Sequence, residues 1–238
     1  WIIVKGNHDI TGPGAKEAFS EFYLPMIRRQ TGNNKISSAN YSYRSGNVQI
    51  VCLDPWDSSV DVVDFLEKEF AGSDASAKIV ALHEPVIPVT ELCWHLFRND
   101  PAMREKLLEV IAKNKAIVLC AHLHRYSVVR RNTVSGPIVQ IMTISVVRDS
   151  SHIKPDKLIT QYGPSLVDSV PWLDPPATLK SQEWLTEESE YVTYYKQADL
   201  PGFSILKIDH DGKNIVLEYY AAFGRKPYDV VNISDLMK

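Results

Sequence analysis

Short apolar runs alternate along the first half of the chain with stretches whose apolar positions recur every three to four residues. That alternation is the trace of buried strands connected by amphipathic helices. Residues 1–5 read as a buried strand that ends in a loop at Gly6. Phe19, Phe22, Tyr23 and Met26 recur at helical spacing, and Pro25 should kink or end that helix. Residues 41–44 and 48–53 flank Ser45-Gly46-Asn47, a hairpin turn that delivers Asp54 at the end of its second strand. Ser58 or Ser59 is positioned to cap a helix with Val62, Val63, Leu66 and Phe70 on one face, and Asp61 and Asp64 suit its positive end; Gly72 stops it. Residues 78–82 form a strand running into His83. Asp100-Pro101 begins a helix that buries Leu107, Leu108 and Ile111, and residues 116–120 form the next buried strand.

Past Arg125 the period becomes strand-like, with residues 126–130 and 138–147 separated by Ser135-Gly136-Pro137. Residues 150–200 mix prolines with Trp172, Trp184 and a tyrosine-rich end, and read as a long covering segment. Residues 203–208 and 215–221 flank Asp209-His210-Asp211-Gly212, a hairpin signal because Asp-Gly supplies positive φ. The organisation expected is a main body over 1–147, a covering or inserted segment over 148–200, and a terminal hairpin and tail over 201–238 that return to the main body.

With 238 residues, 45% of them hydrophobic, the chain can bury a sizeable core. A formal charge of −3 and no long basic cluster argue against nucleic acid as a non-specific partner. No stretch approaches the roughly 18 consecutive apolar residues of a membrane span. The chain begins at Trp1, so a targeting segment would lie upstream and the compartment, secreted, periplasmic or cytoplasmic, stays open. Cys52, Cys93 and Cys120 are odd in number and two sit in apolar runs, so they read as reduced, buried side chains.

Histidines at the ends of buried strands carry the chemistry, because α/β folds bind ligands beyond the carboxyl ends of their strands. His8, His83, His122 and His124 all stand there. Imidazole is a common ligand for Zn, Mn or Fe, and His122-Leu123-His124 in an extended segment would set both rings on one side. Alone, each has a plainer reading: His83 as a hydrogen-bonded strand-end residue, Gly6-Asn7-His8-Asp9 as a turn with a capping Asp, Asp54 as a turn former before Pro55. His95, His152 and His210 lack such a setting and read as structural. Cys93-Trp94-His95 reads as packing, although its loop could line an entrance. Other chemistries are excluded by their missing signatures: no Gly-x-Ser-x-Gly elbow, no phosphate-cradling Gly-x-x-x-x-Gly-Lys-Ser/Thr loop, no Gly-x-Gly-x-x-Gly fingerprint and no Cys-x-x-Cys pair.

Taken in order, Gly6-Asn7-His8-Asp9, then His83-Glu84-Pro85, then Ala121-His122-Leu123-His124 resemble the third, fourth and fifth motifs of the calcineurin-like metallophosphoesterase superfamily, with Ala121 in place of a glycine. The resemblance spans residues 1–147 and, more loosely, the terminal hairpin. It implies a four-layer αββα sandwich of two mixed sheets flanked by helices, with the N-terminal strands lacking. It also implies a phosphate-ester substrate, mono- or diester, hydrolysed by attack of a metal-bridging hydroxide between two divalent or trivalent ions, about 3.5–4 Å apart. Mn, Fe, Zn, Mg and Ni are not distinguished. By position, Asn7, His83 and His122 are the implied ligands of one metal and His124 of the other; His8 contacts the phosphate and protonates the leaving group, with Asp9 orienting it.

The superfamily's Asp-x-His and Gly-Asp-x-x-Asp motifs do not occur in these residues. A dinuclear centre then requires residues upstream of Trp1 or a second chain, and this span alone is expected to be inactive and to self-associate through an exposed sheet edge. The competing expectation is a non-catalytic interaction or scaffold module on the same fold. Specificity is expected in the loops over 89–100 and 148–200.

Overall fold

The structure is a computed structural model that describes residues 1–143, 158–167, 174–221 and 224–238. In chain order its elements are α1 (Ala15–Ala18), α2 (Leu24–Thr31), β1 (Tyr41–Ser45), β2 (Val48–Cys52), α3 (Val62–Phe70), β3 (Ala77–Ala81), α4 (Pro101–Lys113), β4 (Ile117–Cys120), β5 (Tyr126–Thr133), β6 (Gly136–Met142), α5 (Pro175–Ser189), β7 (Val192–Ala198), β8 (Gly202–Ile208), β9 (Ile215–Ala221), β10 (Asp229–Asn232) and α6 (Ile233–Leu236). Seven strands form one mixed sheet in the order β1-β2-β3-β4-β6-β5-β7, and β10-β9-β8 form a second, antiparallel sheet. Strands β2, β3, β4 and β6 run parallel at the centre, with antiparallel neighbours outside them. This is an α/β sandwich.

The pleat of the central strands sorts their side chains between two cores. Val51, Val80 and Val118 point to one face and pack on Val63 and Leu66 of α3 and Leu107, Leu108 and Ile111 of α4. Ile117, Val139 and Ile141 point to the other face and meet Leu217, Tyr219 and Val231 of the small sheet. The rings of Tyr126 and Tyr219 stack at 3.9 Å across that boundary. The Tyr126 hydroxyl donates to Asp229 Oδ2 at 2.9 Å, and Lys196 Nζ pairs with Asp229 Oδ1 at 2.6 Å. Beside the small sheet, Phe19, Leu24 and Ile27 cover Tyr41, Cys52 and Ala81. Phe203, Ile205 and Val230 remain exposed on the small sheet's outer side.

Several elements differ from their sequence reading. Residues 1–5 form no ladder: Ile2, Ile3 and Val4 lie on the Phe19–Ile27 cluster, and the backbone of Ile3 is held by the Tyr41 hydroxyl at 2.9 Å on both its N–H and its carbonyl. Apolar side chains thus dock the segment against a surface of side chains. Pro25 neither ends nor breaks its helix, because a π-helical turn over Phe19–Tyr23 widens the path and leaves Pro25 in the first turn of α2. Phe22 and Tyr23 consequently face out, and Phe19, Leu24 and Ile27 face in. The cap of α3 is Asp61, whose carboxylate accepts from Val63 N–H and Asp64 N–H, rather than Ser58 or Ser59. Residues 175–198, which read as part of a covering segment, contain α5 and the edge strand β7. The last part of the strand expected over 138–147, from 144 on, and His152 lie outside the described residues.

Candidate metal and phosphate site

Three of the chain segments singled out in the sequence meet at one end of the central strands. Strand β3 leads through Leu82 to His83, and β4 through Ala121 to His122. Their ladder continues past the formal strand ends, with Leu82 N–H bonded to Leu119 O at 3.0 Å and Ala121 N–H to His83 O at 2.9 Å. Main-chain pairing therefore sets the two histidines side by side. At His122 the backbone turns sharply, with φ of 71° and Leu123 N–H bonded back to Ala121 O at 2.9 Å, a γ-turn. His124 also has positive φ, at 52°. The His122-Leu123-His124 segment is thus not extended as expected: the His122 ring meets His83, and His124 is exposed.

The Gly6 loop approaches from the other side. Asn7, His8 and Asp9 form one 3-10 turn, tied by the Asp9 carboxylate, which accepts from Gly6 N–H at 2.8 Å. Gly6 has extended φ and ψ, −110° and 173°, that any residue can adopt, but a Cβ there would lie 3.0 Å from His83 Nδ1. Any side chain there would press on the His83 ring. The close approach puts Asn7 Oδ1 2.8 Å from His83 Nε2, which is itself 3.0 Å from His122 Nδ1. His8 is exposed on the outer side of the turn. Lys5 anchors the loop through a 2.8 Å ion pair with buried Asp54, and Asp54 also forms the local turn by accepting from Trp56 N–H at 3.1 Å.

An amide oxygen and two ring nitrogens converging within hydrogen-bond distance can share few protons, and their remaining lone pairs suit a cation. Burial pushes the pKa of His83 down to about 4; the charges that His122, His124 and His8 would carry lower it further, against a smaller opposing effect of Asp9. Burial likewise lowers His122, against the nearby Glu84 carboxylate. Both rings are therefore neutral near pH 7, the form that ligates metals. Among the described residues no three His, Cys, Asp or Glu side chains gather into a metal-holding cluster, so the donor set brought together is Asn7, His83 and His122. His124, His8 and Asp9 border it without joining its hydrogen bonds.

Two tryptophans flank the cluster. The Trp56 ring is 6.0 Å from His83, and the Trp94 ring is 5.5 Å from His122 while its Nε1–H donates to Glu84 Oε1 at 2.7 Å. Sequence reasoning assigns Trp94 to packing and does not single out Trp56, Glu84 or Arg98 as members of a site. The available signal is Glu84 directly after a strand-end histidine. Two cavities, about 360 Å³ beside Ile36 and Tyr41 and about 780 Å³ between Arg104 and Tyr191, contain no member of the cluster, whose residues are half-buried.

The same arrangement of layers occurs in known structures. "Structure of PhoD" superposes with a TM-score of 0.54 over 97% of this chain at 13% identity, and "GAP50 the anchor in the inner membrane complex of Plasmodium" with 0.51 over 96% at 11%. The chain shares the fold of these two structures. At such identities the likeness is one of fold, and the chain spans 48% of the first structure and 64% of the second. No protein-family model and no curated protein matches the sequence. Among the described residues no helix is long and apolar enough to cross a membrane.

Proposed function

We propose that this chain carries the metal-binding and phosphate-binding portion of a metal-dependent phosphoesterase acting on phosphate mono- or diesters. The observation that carries the reading is that Asn7 Oδ1 at 2.8 Å and His122 Nδ1 at 3.0 Å both meet His83 Nε2, on a fold similar to that of PhoD. A cation held by these three groups would polarise a phosphoryl oxygen and stabilise the charge of the transition state. Gly6 keeps Asn7 close to His83, and burial keeps His83 neutral. His8, exposed one residue beyond Asn7, is placed to hand a proton to a leaving oxygen. A second cation would draw on His124 together with donors outside this sequence.

The test is hydrolysis of 4-nitrophenyl phosphate and bis(4-nitrophenyl) phosphate with added Mn²⁺, comparing the wild type with His8→Ala and His122→Ala in a protein that supplies the remaining metal donors, since this span alone is expected to be inactive. Loss of turnover in both variants is expected, and unchanged turnover in both would refute the site. A second reading is a non-catalytic binding module. It is favoured by the Asp9 carboxylate, which is engaged by Gly6 N–H instead of orienting His8, and by the anchor role named for GAP50. Mn²⁺ binding that depends on His122, without turnover of either ester, would favour that reading.

A further inference from the structure

Between β3 and α4 the chain builds a loop that buries nearly every residue around one exposed ring. Thr90, Glu91, Cys93, His95 and Leu96 are buried, whereas Trp94 is 39% exposed. Cys93 and Phe97, on either side, have φ of 50° and 57°, left-handed backbone that side-chain-bearing residues adopt only when their surroundings impose it. The surroundings here are Leu96 N–H bonded to Pro85 O at 2.8 Å, Cys93 N–H to Thr90 O at 3.0 Å, and His95 Nδ1 at 2.6 Å from Cys93 O with its ring edge-on to Trp184. So held, Trp94 faces His122 and donates to Glu84. Its indole also carries the Arg98 guanidinium, whose central carbon lies 3.6 Å from the ring centroid.

Arg98 differs from the other cations around this site. Lys5 is neutralised by Asp54, and Arg125 by Glu91 and Asp199, but among the described residues no carboxylate pairs with Arg98. A guanidinium stacked on an aromatic face keeps its in-plane N–H groups free, in the fork that matches phosphate oxygens. We propose that Arg98, braced by Trp94, binds a phosphate oxygen of the substrate and selects a dianionic phosphate monoester over a monoanionic diester. This rests on reading the histidine cluster as a phosphoesterase site. Arg98 lies on the indole that neighbours His122, and an unneutralised positive charge there favours the ligand with the greater negative charge. Arg98 is thus a binding residue, and Trp94 acts through it as a positioning residue.

The experiment is calorimetric titration of inorganic phosphate at pH 8.5 and of dimethyl phosphate into the whole chain, with and without Mn²⁺, in the wild type, Arg98→Gln, Arg98→Lys and Trp94→Phe. Inorganic phosphate is expected to bind more tightly than dimethyl phosphate and to weaken about tenfold to hundredfold in Arg98→Gln, as loss of a hydrogen bond to a charged group implies. Dimethyl phosphate should change far less. Arg98→Lys should recover only part of the affinity, because an ammonium lacks the fork, and Trp94→Phe should keep most of it, because phenyl still supports the guanidinium. Equal phosphate affinity in the wild type and Arg98→Gln, or no wild-type preference for phosphate over dimethyl phosphate, overturns the assignment. Arg98-dependent phosphate binding without hydrolysis of either aryl ester, even where the remaining metal donors are supplied, would leave the anion site standing and remove the phosphoesterase reading. Monoester and diester turnover both unaffected by Arg98→Gln would do the reverse.

Discussion

Gly6→Ala isolates the contribution of one close contact to the candidate metal site. The new methyl group would stand 3.0 Å from His83 Nδ1, 3.1 Å from Cε1 and 3.4 Å from Cγ, so the ring must give by a few tenths of an ångström. Metal sites tolerate about 0.2 Å in ligand position, and the ring that moves is the one linking Asn7 Oδ1 to His122 Nδ1. Displacing a metal ligand by disturbing its support typically costs about tenfold to hundredfold in affinity, which is the loss expected for Mn²⁺ or Zn²⁺. The backbone at Gly6 is extended, so alanine introduces no strain there and even gains about 0.4–1 kcal/mol by restricting the unfolded chain. Without metal that gain is set against the pressure on the His83 ring, so the melting temperature should stay close to the wild-type value, and most of the metal-induced rise should be lost. Isothermal titration with each metal, together with differential scanning fluorimetry, measures both. Wild-type metal affinity in Gly6→Ala would refute the argument that the His83–Gly6 contact sets the site.

Glu188→Ala should destabilise the protein by about 3 kcal/mol, at the lower end for a broken buried ion pair, because Arg131 retains Glu105 at 2.9 Å; a shift of the urea midpoint at constant slope measures it. The Glu188 carboxyl is raised by burial but more strongly lowered by Arg104 and Arg131, so its folded pKa lies below the ordinary 4.5. A lowered folded pKa gives stability that is complete above the unfolded value and is lost as pH falls from about 4.5 through the folded value; Glu188→Ala should flatten the stability-against-pH curve in that window. Asp61→Ala removes the cap on Val63 and Asp64 and should cost about 1 kcal/mol by the same assay. Burial pushes the Cys52 and Cys93 thiols up to about 12, so neither should react with a disulfide reagent at pH 8 until the protein is unfolded; rapid labelling of native protein at either position would contradict their burial.

Elements with strong local signals are legible in the chain itself. The Ser45-Gly46-Asn47 turn, Asp100 as the cap of α4 and the strands leading to His83 and His122 all stand where pattern and turn chemistry put them. Signals that depend on what lies opposite are not. Residues 1–5 have the composition of a buried strand but pack on Phe19 and Ile27, and α5 and β7 are hidden among prolines whose role as a helix start shows only when Asp174 is seen accepting from Ala177 N–H. At the site, the motifs name Asn7, His83 and His122, but not that His122 sits in a γ-turn and leaves His124 exposed. Trp94 looks like core by type and becomes a displayed ring because Cys93, His95 and Leu96 on both sides are buried.

The sequence by itself determined most of the strands and helices between residues 41 and 142, and that metal-type donors occur at the ends of three apolar runs, because those properties depend on side-chain periodicity and on residues close together in the chain. Tertiary structure alone decided which donors meet. Asn7 and His83 are 76 positions apart, and their contact exists because β3 and β4 pair in register while a side-chain-free Gly6 lets the first loop close on the His83 ring. The same long-range packing left Arg98 stacked on Trp94 without a carboxylate partner among the described residues. Distances across strands and the burial that keeps His83 neutral arise only when the chain is assembled, since both depend on neighbours that local sequence does not specify.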